Sequence, residues 1–300
     1  MTIEFNGRVA IVTGAGSGLG RSHAMGLAAR GAKVIVNDLG GPPFDNAMKV
    51  VEEIRAGGGT AIADPADVAD FGQVSEMVAR AERAWGRVDI LVNNAGVLRD
   101  KTFAKMEMAD FEFVLRVHLI GSANCIKAVW TGMRERNYGR IVLTSSASGI
   151  YGNFGQANYG AAKAAMIGLM NVLHLEGAKN DIRVNVLAPT ARTAMTEGLL
   201  TPVAAELMTP ESVTPGVLFL VSEDAPSRVI LGAGAGVFAV THIGETPGVY
   251  LDESERDPET IAARFAEISD VKTAEPLKDA FSQTMKFVAA AAKAKGIKLE

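Results

Sequence analysis

Short apolar runs separated by stretches of helical periodicity recur along this chain. Val9 to Val12, Val34 to Val36, Ala61 to Ala63, Ile90 to Val92, Ile141 to Leu143, Arg183 to Val186 and Val229 to Leu231 have the length and composition of buried strands. The segments between them, beginning with Arg21 to Arg30, read as helices. Strands that alternate with helices predict an α/β fold, a Rossmann-like doubly wound parallel sheet whose ligand lies outside the carboxyl ends of the strands.

Past Gly248 the pattern changes. Asp257-Pro258-Glu259 has the order of an N-cap, a first-turn proline and a favourable acidic residue, and Ile261, Phe265 and Ile268 then mark one helical face. A second stripe, Leu277, Phe281, Met285 and Val288, follows Pro276. The chain therefore divides into a nucleotide-binding domain over residues 1–248 and a C-terminal helical extension over residues 249–300. The two apolar faces either pack on their own subunit or form a subunit contact or a lid at a neighbouring pocket.

Composition narrows the partners. Thirty basic and 34 acidic residues give a net charge of −4, with no basic run dense enough for a nucleic-acid or membrane face, so a small molecule is the expected partner. The single cysteine, Cys125, sits in an apolar helical stretch and cannot form an intramolecular disulfide. No apolar run is long enough to span a bilayer, the first strand begins without a signal-peptide pattern, and Lys298-Leu299-Glu300 is not a peroxisomal address. These features point to a cytoplasmic protein. His23, His118, His174 and His242 are scattered without ligand spacing, so no metal site is expected.

The informative chemistry begins at Thr13-Gly14-Ala15-Gly16-Ser17-Gly18-Leu19-Gly20, between the first strand and the first helix. Glycines there let the backbone turn tightly and approach a pyrophosphate, while the helix N-terminus offers N–H groups and partial positive charge. The second strand ends at Asp38, whose carboxylate can accept hydrogen bonds from an adenosine ribose and repels a 2′-phosphate. At ~4 Å and an effective dielectric of ~20 each unit of that repulsion is about 4 kcal/mol, which favours NAD over NADP. No basic residue in the turn offsets it; Ser17 stands there instead.

The spacing Thr-Gly-x-x-x-Gly-x-Gly resembles that of the short-chain dehydrogenase/reductase family. Asn93-Asn94-Ala95-Gly96 after the run Val88 to Val92, Ser146 thirteen residues before Tyr159, Lys163 four residues after it, and Pro189 after the strand Arg183 to Leu187 agree with that family. The resemblance covers about residues 5 to 240. Ser145 to Tyr159, with Val36 to Gly41 and Arg116-Val117-His118-Leu119, is similar to its (3R)-3-hydroxyacyl-CoA dehydrogenase branch, found as part of type 2 multifunctional enzymes.

The resemblance implies an NAD-dependent oxidoreductase acting on an acyl-CoA, with Tyr159 as general base, Lys163 lowering its pKa and holding the nicotinamide ribose, and Ser146 orienting the substrate oxygen. Gly14, Ser17, Gly18, Leu19 and Gly20 would hold the pyrophosphate. Asn94, Ala95, Gly96 and Pro189 would pass along the cofactor, with Asn93 either joining them or bracing the sheet. Asp67 and Val68 would face the adenine, although Asp67 equally suits a helix N-cap. His118 stands where the family usually carries an Asn that supports a proton relay; it either keeps the relay or is a core histidine. Residues Thr190 to Pro215 fill the place of a mobile substrate loop, and Met195, Leu199, Leu200, Val203, Leu207 and Met208 give it an apolar surface, or else form a small covering helix. Alternatives to the acyl-CoA reading are a 3-oxoacyl carrier-protein reductase, a hydroxysteroid or other secondary-alcohol dehydrogenase, and a nucleotide-sensing protein without turnover. Ala161, Ala162, Ala164 and Ala165 would permit close helix approach, and a homodimer or homotetramer is expected.

Overall fold

Val9–Val12 (β1) is buried at every position, and its side chains divide between two cores because successive residues of a strand point to opposite faces. Ala10 and Val12 join Leu27, Val50, Ile54, Val217 and Leu220 on one side of the sheet. Val9 and Ile11 join Met77, Ile126, Val129, Met133, Met166 and Met170 on the other. Helices covering both faces explain why the strands read as continuous apolar runs and not as alternating ones.

The computed structural model describes residues 2–39, 45–192 and 201–299. Its sheet has eight strands in the order β3-β2-β1-β4-β5-β6-β7-β8. They are Val9–Val12 (β1), Lys33–Asn37 (β2), Thr60–Asp64 (β3), Ile90–Asn93 (β4), Gly139–Thr144 (β5), Ile182–Thr190 (β6), Ile230–Gly234 (β7) and Val237–Thr241 (β8). Pairing is parallel from β3 across to β7. The predicted doubly wound α/β sheet is present. β1 lies between β2 and β4, where the strand order reverses; in open α/β sheets ligands bind at that point, beyond the carboxyl ends of the strands.

Some elements differ from the sequence reading. The first helix is Gly18–Ala28, so the last two glycines of the turn lie in its first turn. β8 is unforeseen; it follows Ala235-Gly236, both at positive φ (50° and 76°), as in the turn of a tight hairpin. Asp70, not Asp67, caps the helix Phe71–Trp85 by accepting the Gln73 N–H. Asp67 instead accepts the Ala69 N–H at 2.8 Å, a local turn. No helix among the described residues is long and apolar enough to cross a membrane.

The chain forms two compact units, Met1–Val240 and Thr241–Glu300. In the second, Asp257 caps Pro258–Ala263, as its sequence suggests, but that helix stops at Arg264 and a separate turn, Phe265–Ile268, follows. Asp279 caps Ala280–Lys295, which leaves Leu277 ahead of the helix. Glu245 and Glu275 exchange backbone hydrogen bonds at 3.0 and 3.1 Å, and the Glu245 carboxylate accepts from Gln283 and Lys286. Within this unit Ile261, Phe265, Phe281, Met285 and Val288 are exposed, so they do not form a core of the extension itself.

Candidate active site

The ends of β1 and β4 are locked together by side chains. Thr13 Oγ1 accepts the N–H groups of Asn94 and Ala95, each at 3.0 Å, and Asn94 Nδ2 donates to the carbonyls of Thr13 (3.0 Å) and Gly14 (3.1 Å). Gly14 adopts φ +61°, and a Cβ there would come within 2.8 Å of Ala95 Cα; a Cβ at Gly20 would meet the Gly14 carbonyl oxygen at 2.2 Å. Only glycine fits at these two positions. Ser17, exposed and extended, is the N-cap of the helix, and Gly18 and Leu19 follow it half-buried. The N–H groups of such a first turn are those that bind anions.

Asp38 follows β2, and its Oδ2 accepts the Gly16 N–H at 2.7 Å. The carboxylate is thus held at the glycine turn, where a ribose diol can share it. Asp67 and Val68 follow β3; Val68 is buried against Gly121, and its carbonyl accepts from Asn124 Nδ2 at 2.9 Å. The two asparagines after the fourth apolar run divide their work. Asn94 braces the turn, whereas buried Asn93, the last residue of β4, has no partner within the protein for either side-chain polar atom. Thr144 Oγ1, at the end of neighbouring β5, also has none. A glycine cradle, a carboxylate beside it and unpartnered polar atoms at adjacent strand ends together fit a bound dinucleotide.

β5 delivers the second half of the site. Its last residue is followed by Ser145, whose Oγ donates to the Lys163 carbonyl at 2.7 Å, and by Ser146, the N-cap of the short helix Ala147–Tyr151. Tyr159 and Lys163 lie one turn apart on the helix Ala157–Gly177. Lys163 Nζ donates to the Thr144 carbonyl at 2.7 Å and stands 5.5 Å from the Tyr159 ring centroid. Burial brings the Lys163 pKa down to about 7. Burial also pushes Tyr159 up, a hydrogen bond with Ser146 works against it, and the Asp100 carboxylate adds to it. The resemblance implies a lysine that lowers this pKa; the desolvation of the phenolate, which no motif displays, acts the other way.

His118 lies in a π-helical turn, Arg116–Ile120, that precedes the helix Gly121–Arg136. Its ring meets the Tyr159 ring edge-on, with centroids 5.3 Å apart at 86°. A Cβ on Gly96 would approach His118 Cε1 to 2.3 Å, so the absence of a side chain at 96 admits the imidazole. Its Nε2 lies 2.9 Å from the Val97 carbonyl oxygen and 3.1 Å from the Val97 nitrogen, while Nδ1 has no partner within the protein. Burial, then the Lys163 charge, lowers its pKa to about 3, so the ring is neutral at physiological pH.

Pro189 sits near the end of β6, in register with Ala233 of β7. Of the apolar loop residues, Met195, Leu199 and Leu200 lie outside the described residues. Val203 and Leu207 are exposed on the helix Pro202–Leu207, and the Arg192 N–H donates to the Met208 carbonyl at 2.5 Å. His23 is fully buried beside Thr214, which Nδ1 meets at 2.9 Å, and burial lowers its pKa to about 3. Two residues of the site neighbourhood are given no role in the sequence reading: Asp100, and Gln156 within the Ser145 to Tyr159 segment, whose side chains meet at 2.6 Å. They are 56 positions apart, and no local pattern joins them.

Comparison with known proteins agrees with this fold. The family model described as short chain dehydrogenase matches residues 8–202. The peroxisomal multifunctional enzyme type 2 of Drosophila melanogaster is 47% identical over 266 residues, 86% of this chain and 44% of that protein. Its full-length structure superposes with a TM-score of 0.82 at 37% identity, covering 97% of this chain and 50% of the other. This chain therefore spans about half the length of that relative. A short chain dehydrogenase from Mycobacterium avium matches with a TM-score of 0.77 and 37% identity, covering 91% of this chain and 97% of that one. A 7α-hydroxysteroid dehydrogenase complexed with NADH and a 7-oxo bile acid matches with a TM-score of 0.72 and 31% identity, over 78% of this chain and 95% of its own.

Proposed function

The chain belongs to the short-chain dehydrogenase/reductase family of nicotinamide-dependent oxidoreductases, and from that premise we propose that it interconverts a (3R)-3-hydroxyacyl-CoA and the 3-oxoacyl-CoA with NAD. The observation that carries the substrate class is the extent of likeness. Similarity to the type 2 multifunctional enzyme runs over 97% of the chain and so enters the extension, whereas the hydroxysteroid dehydrogenase covers 78%. A turnover screen with NAD against (3R)- and (3S)-3-hydroxyacyl-CoAs, carrier-protein thioesters and hydroxysteroids tests the reading. Activity on a steroid alcohol with none on any CoA thioester would replace it.

Gly14, Ser17, Gly18, Leu19 and Gly20 hold the pyrophosphate in this reading, Asp38 the adenosine ribose, and Asp67 and Val68 the adenine. Asn94, Ala95, Gly96 and Pro189 line its course, and Tyr159 and Lys163 hold the nicotinamide ribose. Bound NAD supplies the hydride acceptor. Ser146 holds the substrate oxygen beside Tyr159, which takes the hydroxyl proton as general base. A protonated Lys163, 5.5 Å from the tyrosine ring centroid, favours the phenolate and works against the cost of burial. His118, neutral and edge-on to the ring, braces it without adding charge.

NAD is expected to exceed NADP by at least about tenfold in kcat/KM, because a 2′-phosphate would face the Asp38 carboxylate; a difference of ~1.4 kcal/mol suffices. Steady-state rates with both nucleotides check this, and equal use of NADP would reject the role given to Asp38.

The catalytic helix presents an exposed stripe, Ala157, Ala161, Ala164, Gly168, Val172 and Leu175, along its whole length. Small and apolar side chains at helical spacing permit close approach of a second helix, so we expect a homodimer or homotetramer. Sedimentation at micromolar concentration checks it, and a monomer there would count against the assembly.

A further inference from the structure

The segment that follows β4 and the segment that leads into the catalytic helix are stitched together by three hydrogen bonds. The Lys101 N–H donates to the Gly155 carbonyl at 3.0 Å, Asn158 Nδ2 to the Arg99 carbonyl at 2.9 Å, and Gln156 Nε2 to Asp100 Oδ2 at 2.6 Å. The orientation of the Gln156 amide is set from its other end. Its Oε1 accepts from Ser148 Oγ at 2.8 Å and from Asn153 Nδ2 at 3.0 Å, which turns the NH₂ group toward the carboxylate. The Gln156 carbonyl accepts the Gly160 N–H at 2.7 Å, so the residue that grips Asp100 is anchored in the first turn of the Tyr159 helix.

The cations that flank Asp100 in the chain are engaged elsewhere. Lys101 Nζ lies 3.0 Å from Asp110, and Arg99 lies 3.9 Å from the same residue while its guanidinium covers the Phe113 ring. Among the described residues, the groups around Tyr159 come one from each packed element. Lys163 comes from its own helix, neutral His118 from the π-helical turn, Ser146 from the end of β5, and Asp100 from the segment after β4. Lys163 favours the phenolate, and a carboxylate opposes it.

We propose that Asp100, gripped by Gln156, is a positioning residue that acts through Tyr159: a fixed negative charge that opposes the phenolate and sets how alkaline the medium must be before the alcohol is oxidised. Burial is the larger influence raising the Tyr159 pKa, the Ser146 hydrogen bond lowers it, and the Asp100 charge raises it again. The inference rests on Tyr159 being the general base. Asp100 is exposed, so its influence is open to screening by salt.

The test is the pH dependence of kcat/KM for oxidation of whichever secondary alcohol the enzyme turns over. Asp100→Asn keeps the shape and removes the charge, so the acid limb should move down by about half a pH unit. In the unaltered enzyme raising the salt concentration should move the limb the same way, and in Asp100→Asn it should not. Gln156→Leu should move the limb down when Asp100 is present and leave it in place in the Asp100→Asn background. A limb unmoved in Asp100→Asn, whatever happens to kcat, would make the contact a structural strap only and overturn the proposal. Tyr159→Phe distinguishes failure of the underlying reading: if it turns over with the same acid limb, the limb does not belong to Tyr159 and the inference falls with it.

Discussion

Tyr159→Phe is expected to lose turnover by about a thousandfold, within the range that general acid–base groups supply, while still binding NADH. The substitution removes one oxygen. The ring that His118 meets edge-on at 5.3 Å remains, as does the Lys163 contact with the Thr144 carbonyl. Lys163→Ala should instead damage both turnover and cofactor binding, since in the proposed mechanism its ammonium serves the tyrosine and the ribose together. Turnover with cofactor in excess and NADH affinity by fluorescence titration separate the two effects. Near-normal rates for Tyr159→Phe would defeat the assigned mechanism.

The second large effect is stereochemical. In the proposed mechanism Ser146 and Tyr159 hold the substrate oxygen between them, and the cofactor site sets the direction of hydride transfer. Only one enantiomer can then present its C–H bond while its tail follows the apolar surface of the loop after Pro189, where Val203 and Leu207 are 68% and 61% exposed. The 3R thioester should be oxidised at least about a hundredfold better than the 3S form, a difference of ~2.7 kcal/mol. Lengthening the acyl chain to medium size should raise kcat/KM, because each CH₂ buried contributes ~0.8 kcal/mol. Paired initial rates on both enantiomers with NAD in excess decide it. A preference for 3S would redirect the assignment toward other secondary alcohols.

The seven predicted strands and the positions of the turn motifs at their carboxyl ends could be read from the sequence because each depends on a local run of residues. β8 could not. Its five residues are largely exposed and its turn places Ala235, not a residue typical of positive φ, at 50°. The roles of Asn93 and Asn94 depend on which side chain faces Thr13, and that is settled by the pairing of β1 with β4 across some eighty positions. The electrostatic state of Tyr159 escaped for a similar reason. A motif shows a neighbouring lysine, but the desolvation of a phenol is a property of the packed molecule. Gln156 stood in plain view within the segment before Tyr159, yet its partner Asp100 is brought to it only by the fold.

The clasp of Thr13 and Asn94 across the ends of β1 and β4 has a thermodynamic consequence. In this protein the backbone of both strand ends is already held by four hydrogen bonds that involve no nucleotide. Ordering a residue costs ~1–2 kcal/mol of conformational entropy, and here that cost falls on folding and not on association. A nucleotide bound as proposed would meet a preorganised floor, so contacts made there would count toward affinity without a deduction for freezing the chain. Loosening the clasp would return that deduction to the binding step: a substitution at Thr13, which the proposed site does not place against the nucleotide, would weaken binding by way of the strand ends it holds.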